Sequence, residues 1–347
     1  METVQQDSAC KVPYTVMDTR GLPPPLAAKL WQESIEVMFD TRLRDTQGNG
    51  AYSRIKACMI GPLALGSAQI GPQTFDRPAA KIGRDGLDHL LLQFYVNGHC
   101  RERNNKLADD TQSGDLWITD LGQPLASEVS TAANISLILP RSLISPLLRQ
   151  PDAHHQRIIK SHEPLSRLLR SHMHMLLQTA PDMTVTDAHA ITRPTLELAA
   201  ATLNGACHGQ CEAGVVVGVR LQIARYIESR LADSGLSPRG IAQHFAISLR
   251  KLQYMFETEG GIAAFIQRTR LRHCRTMILD PALQQHSIEQ LASQCGFTHP
   301  QSFSRTFRRE FGMSPRSVRM LARQRAPIPE QDNWVHTSWH QWISQMR

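Results

Sequence analysis

Apolar positions along the chain change their period twice. Near the start, Trp31, Ile35 and Met38 recur at i, i+4 and i+7, which predicts a helix over Ala27–Phe39. Residues 1–25 before it are polar, end in Leu22-Pro23-Pro24-Pro25, and read as an arm. From about Ala51 to Pro140 the apolar stretches become short: Ala51–Ile60, His89–Val96, Asp115–Thr119 and Ile135–Leu139. Turn chemistry separates them, in Gly48-Asn49-Gly50, Gly61-Pro62, Gly71-Pro72, Asn97-Gly98 and Ser113-Gly114. Many short strands of this kind predict a β-barrel or sandwich. After Pro140 a helical period returns. Leu165, Leu168, Leu169, Met173 and Leu176 share one stripe, and a second helix is expected from Asp187 to Asn204, with Leu196, Ala199, Ala200 and Leu203 aligned. These two helices can pack on their own domain or on a partner chain. Asn204–Gly214, rich in Gly and Cys, is the candidate linker.

The last third contains a duplicated pattern. Offsets of 50 and 51 residues superpose Ser237 on Ser287, Ile241 on Leu291, Ala242 on Ala292, Ile247 on Phe297, Leu252 on Phe303 and Phe256 on Phe307. Each copy has the physics of a helix-turn-helix. Ser237 caps a helix with Pro238 at its first position, and Ser287 with Gln290 makes a capping box. Ala242 and Ala292 are small where two helices must cross. Ala246 and Gly296 fall at the turn, where only Gly296 takes positive φ without strain. Burying Leu252/Phe256 and Phe303/Phe307 turns Arg250, Lys251, Gln253 and Tyr254 outward in the first unit. In the second it turns out Gln301, Ser304, Arg305, Arg308 and Arg309. These side-chain types reach base edges and phosphates in a major groove. Between the copies, Ile262–Leu279 reads as one helix, roughly 27 Å long at ~1.5 Å per residue. Successive major-groove faces lie ~34 Å apart, so such a rod suits two recognition helices in adjacent turns.

Charge sharpens the picture. The chain's net charge is +7, but residues 215–325 hold 17 Lys+Arg against 7 Asp+Glu, so the rest is slightly acidic. All but Lys251 of those 17 are arginine, the forked donor suited to phosphates and guanine edges. A basic block on a near-neutral body is the electrostatic footprint of nucleic-acid binding. No apolar run approaches the ~20 residues of a membrane span. The first residues show no secretory pattern, and seven scattered cysteines make no disulfide framework, so a cytoplasmic location is expected.

At Val215–Arg325 the residues resemble the AraC/XylS family of bacterial transcription regulators. Gly261–Ile266, Arg270-Leu271, Cys274 and Ile278-Leu279 look like the family's linker-helix pattern. Cys295-Gly296-Phe297, Gln301–Arg309 and Gly312-Met313-Ser314-Pro315 match its second unit. Val318 and Tyr254 depart from common choices. The resemblance implies base contacts from Arg250, Gln253, Tyr254, Pro300, Gln301, Ser304 and Arg305, and phosphate contacts from Lys251, Arg308 and Arg309. Gly114–Gly122 resembles one subgroup of the cupin-like regulatory domains that precede this module. The implied architecture is multi-domain α+β: an arm (1–25), a cupin-like ligand-sensing β-barrel (26–150), connecting and dimerisation helices (151–214), an all-α tandem helix-turn-helix (215–325) and a Trp-rich tail (326–347). The implied partners are promoter double-stranded DNA, RNA polymerase, a small-molecule effector and a second copy of the chain. The expected function is a ligand-responsive DNA-binding transcription regulator, expected to activate, with no cofactor, no membrane and no catalytic residues.

The same residues also offer rival chemistry. The alternative is an enzyme, a cupin-type oxygenase or a DNA-repair alkyl transferase carrying this module. His172-Met173-His174 looks metal-like, but i and i+2 point apart on a helix. Cys207-His208-Gly209-Gln210-Cys211 lacks the second cysteine pair of a zinc site. Cys100 beside Arg101 is a candidate nucleophile without the rest of an active site. No metal site is expected. Strand position offers Tyr52, His89, Phe94 and Trp117 as ligand-pocket residues. In the tail, Val335, Trp339, Trp342 and Ile343 fit one helical stripe, which docks on the chain's own body, lids the DNA-binding module or meets a partner.

Overall fold

The structure, a computed structural model, describes residues 10–45, 49–103, 110–205, 214–257 and 260–324, with Trp339, Trp342, Ile343 and Met346 of the tail. In the first half, β1 (Tyr14–Asp18) and α1 (Pro24–Ile35) lead into β2 (Asp40–Leu43), β3 (Arg54–Ile60), β4 (Leu63–Ile70) and β5 (Gln73–Arg77). Then come α2 (Ala79–Asp85), β6 (Leu90–Asn97), β7 (Cys100–Glu102), β8 (Leu116–Asp120), β9 (Leu125–Val129) and β10 (Ala132–Leu139). Short α3 (Arg141–Ile144) and β11 (Arg157–Ile159) precede α4 (Pro164–Thr179) and α5 (Val185–Gly205). The strands form two antiparallel sheets, ordered β1-β3-β4-β10-β6-β8-β11 and β2-β5-β9-β7.

The larger sheet is buried on both faces. Along β6, Leu90, Leu92 and Phe94 join one apolar cluster, while Leu91 and Tyr95 join another. The first cluster lies under α4 and α5, through Leu169, Met173, Leu176, Leu196, Ala199 and Leu203. The second lies between the two sheets, where Ile55, Leu91 and Trp117 meet Leu125 and Val129, with Trp31 and Ile35 from α1. Strand alternation assigns each side chain to one of two interiors. The two connecting helices therefore cover the sheet of their own domain. Of the stripe expected on α4, Leu169, Met173 and Leu176 are buried, whereas Leu165 and Leu168 face solvent beside Met175. The first helix starts at Pro24, as proline's fixed φ favours, and ends at Ile35; Met38 and Phe39 are buried beyond its end.

The second half is helical: α6 (Gly214–Ser229), α7 (Pro238–His244), α8 (Leu249–Met255), α9 (Ile262–Leu279), α10 (Ile288–Gln294), α11 (Pro300–Phe311) and α12 (Pro315–Gln324). Two cores occupy it. One gathers Ile223, Ile227, Ile241, Leu252, Phe256, Phe265 and Ile266. The other gathers Leu271, Cys274, Ile278, Leu291, Phe303, Phe307, Phe311 and Val318. The N-terminal part of α9 belongs to the first and its C-terminal part to the second. Val318, the position departing from an aromatic residue, is fully buried there.

Candidate nucleic-acid interface and sensor cavity

Both helix-turn-helix units are built by local chemistry. Ser237 Oγ accepts the Gly240 N–H at 3.3 Å and Ser248 Oγ accepts the Lys251 N–H at 3.1 Å, capping α7 and α8. At α10, Ser287 Oγ accepts the Gln290 N–H at 3.0 Å while Gln290 Oε1 accepts the Ser287 N–H at 2.7 Å. Pro300 begins α11 and Gly312, at φ 67°, ends it. Each turn uses a left-handed residue: Gly296 at φ 78°, without strain, and Ala246 at φ 51°, where the Cβ makes the conformation strained. A Cβ on Gly296 would sit 2.6 Å from the Leu231 carbonyl, so the second unit's turn abuts the first unit's backbone. Arg270 of α9 reinforces that contact by donating to the carbonyls of Leu231 (3.2 Å) and Asp233 (2.5 Å).

The outward faces are exposed, with the Gln253 amide lying against Gly261, where an added Cβ would collide with its Nε2. Arg250, Lys251, Gln253 and Tyr254 on α8 are exposed, Tyr254 by 72%. So are Pro300, Gln301, Ser304, Arg305, Arg308 and Arg309 on α11. Their apolar neighbours Leu252, Phe256, Phe303 and Phe307 are buried by nearly their whole surface. Each unit thus sets a polar or cationic helix face on an apolar footing.

Between the two sheets lies a cavity of about 60 Å³. Its apolar walls include Trp31, Met38, Phe75, Leu91, Tyr95 and Trp117. A polar rung crosses the larger sheet through register partners: Gly66 opposite Ser136, Ser136 opposite Gln93, and Gln93 opposite Trp117. Gln93 Nε2 donates to Ser136 Oγ at 3.2 Å, and Ser136 Oγ donates to Asn134 Oδ1 at 3.1 Å. Trp117 Nε1 donates to Thr119 Oγ1 at 3.0 Å and Trp31 Nε1 to Gln73 Oε1 at 2.6 Å. Among the described residues no charged side chain lines this cavity.

Of the four pocket candidates, Trp117 lines the cavity. Phe94 points into the core beneath α4 and α5, because it sits one residue from Tyr95 on a strand of period two. His89 precedes β6 and is buried outside the cavity, and Tyr52 borders a separate open groove with Arg20 and Asn97. The cavity-lining Gln93, Ser136 and Gly66 were missed. The available signal was a polar or small residue interrupting each apolar strand.

The other candidate chemistries find structural roles. Cys100 is buried, and desolvation pushes its thiol up to about 11, the reverse of an activated nucleophile. His172 Nε2 lies 2.8 Å from Thr195 Oγ1 between α4 and α5, while His174 faces solvent. Among the described residues no cluster of His, Cys, Asp or Glu has the makings of a metal site. Cys207, His208 and Cys211 lie outside the described residues, as does Val335.

The two halves meet across α2. A Cβ on Gly83 would stand 2.6 Å from the Phe311 carbonyl at the end of α11, and Ile82 enters the second helical core. Arg275 of α9 is buried, with its guanidinium 4.8 Å from the Phe311 ring centre and its Nη atoms donating to the Ile82 and Gly86 carbonyls at 3.4 and 3.3 Å. Arg272 donates to Asp152 Oδ1 at 2.7 Å, and Arg141, which also pairs with Asp120, holds the same oxygen at 3.1 Å. Burial would raise the Asp152 carboxyl, but the two arginines outweigh it and hold its pKa below the ordinary value. From α6, Arg220 and Arg225 donate to the carbonyls of Arg149 and Pro146 at 3.1 and 2.8 Å.

A β-domain with an inter-sheet cavity is joined to paired helix-turn-helix units, a two-part architecture. Comparison with known proteins agrees. Residues 241–320 match the helix-turn-helix domain model, and residues 32–204 match the AraC-binding-like domain model. The chain belongs to the AraC/XylS family of transcription regulators. It is 31% identical over 100 residues to the HTH-type transcriptional activator RhaS of Salmonella arizonae and to that of Salmonella newport. That match covers 28% of this chain and about a third (34%) of the relative's own length. The crystal structure of the AraC-like transcriptional activator CuxR aligns over 81% of this chain and 100% of its own, at 19% identity and a TM-score of 0.51, which shows a shared fold.

Proposed function

We propose that this chain is a ligand-responsive, sequence-specific DNA-binding transcription regulator. The observation that carries this reading is the pair of capped units with exposed polar and cationic helix faces, braced by one continuous helix, α9. In this reading α8 and α11 enter adjacent major grooves. Arg250, Gln253 and Tyr254 read bases in one groove, and Pro300, Gln301, Ser304 and Arg305 in the other. Lys251, Arg308 and Arg309 neutralise phosphates. A small molecule in the inter-sheet cavity shifts the balance between arrangements of the two halves, and the change is read out through RNA polymerase recruitment. The exposed Leu165, Leu168 and Met175 on α4 are the surface proposed for a homodimer.

Direct readout separates the two kinds of contact. Arg250→Ala or Gln253→Ala relaxes base preference at one or two operator positions, by ~1–3 kcal/mol each. Arg308→Ala weakens binding to all duplexes alike and flattens its salt dependence. Binding-site selection from random duplexes, run on wild type and variants, checks this. Identical base preferences for wild type and the α8 variants would remove the readout assignment. Thermal shift against a panel of small metabolites tests sensing independently.

A further inference from the structure

The tail does not stay with the helical half from which it emerges. Trp339, Ile343 and Met346 are buried, and their spacing of four and three residues puts them on one helical face. They pack in the inter-sheet core of the β-domain, in the same cluster as Trp31, Tyr95 and Trp117, and Trp339 reaches the cavity wall.

Three observations distinguish Trp339 from the cavity's own residues. The Nε1 groups of Trp31 and Trp117 are both hydrogen-bonded, whereas Trp339 Nε1 is buried with no partner. A buried donor without an acceptor marks an occupant the site does not fully satisfy. The free space left beside the indole is about 60 Å³, against the roughly 150 Å³ of an apolar cavity that takes up benzene, so not even one ring fits while Trp339 stays. The described lining holds aromatic rings, aliphatic side chains and neutral polar groups, with no charge to pair with an ionised ligand.

We propose that the C-terminal segment is a tethered occupant of the sensor cavity, and that the effector is an uncharged aromatic molecule that takes the place of the Trp339 indole. This rests on the sensing role proposed above and adds to it the ligand's class and its competitor. The tail follows α12 in the chain, so its displacement releases a strap joining the DNA-binding half to the sensor. Neutral aromatic ligands stack on Trp31, Phe75 and Trp117 and use the Gln93–Ser136 rung for one polar contact.

The test uses the full chain and two fluorinated probes followed by fluorine NMR: neutral 5-fluoroindole and anionic 4-fluorobenzoate. Trp339→Ala removes the occupying ring, and Ile343→Asp dislodges the segment while leaving that ring intact. Both variants are expected to bind 5-fluoroindole at least tenfold more tightly than wild type, with 4-fluorobenzoate binding weakly to all three. In wild type, saturation with 5-fluoroindole speeds hydrogen exchange at Trp339, Trp342, Ile343 and Met346. Circular dichroism and duplex binding confirm that the variants fold. Equal or weaker binding of 5-fluoroindole by both variants overturns the competition while leaving a sensor cavity in place. Preference for the anion, or silence of all three proteins toward both probes, overturns the ligand class. The sensing role itself falls only if the wider metabolite panel also gives no shift.

Discussion

Ala246 holds a left-handed backbone at φ 51° in the turn between α7 and α8, where its counterpart Gly296 bears no strain. An L residue there costs roughly 1–2 kcal/mol, of which glycine recovers part and loses some to unfolded-chain entropy. Ala246→Gly should therefore raise the stability of the first unit by about 0.5–1 kcal/mol, measured by denaturant unfolding, with base preference unchanged. His154 makes a second prediction. It is fully buried, and burial, followed by the charges of Arg157 and Arg141, depresses its pKa to about 4 from the ordinary 6.5. The unfolded chain therefore binds the proton more readily between these values. The contribution of neutral His154 is complete above pH 6.5 and declines as pH falls toward 4, by up to roughly 3 kcal/mol. Melting curves between pH 7 and pH 5 should show this loss, and a His154→Asn variant should show a flatter profile.

At the scale of elements, legibility followed exposure. The rod over Ile262–Leu279 has the bounds read from its period. The caps at Ser237 and Ser287 are where serine and its partners stand in the sequence. Recognition helices carry one wet face and one dry face, so their pattern is unambiguous. The strands are different. In β6, Leu90–Tyr95 serves two interiors at once, and in a run apolar at both parities only Gln93 marks the parity of Leu91 and Tyr95 that faces the cavity. The apolar pattern by itself does not separate Phe94 from Tyr95. Strands β4, β5 and β9 carry enough Gly, Gln, Ser and Thr to read as connections, and α2 is only seven residues long. Its significance lies in what Gly83 and Ile82 touch in the helical half, which no local pattern encodes.

For the whole molecule, the contact between halves is polar at its rim and close at its centre. Asp152 sits between Arg272 of the helical half and Arg141 of the β-domain, so it is shared across the boundary. Asp152→Asn leaves two buried guanidinium groups facing each other with less compensation, at a cost of about 1–3 kcal/mol. The expected outcome is looser association: faster hydrogen exchange in α2 and the C-terminal half of α9, with the inter-sheet core still protected. Unchanged exchange in both segments would show that the Gly83–Phe311 approach and the arginine–carbonyl contacts hold the halves together without Asp152.

The rod that closes both helical cores also forbids independence. Each recognition hairpin needs residues from the same eighteen-residue helix to complete its interior, so neither survives as a separate module. Excising one would strand the other with half a floor. The duplicated pattern forms a single mechanical body, and any twist applied at Arg272 or Arg275 reaches both helical cores together.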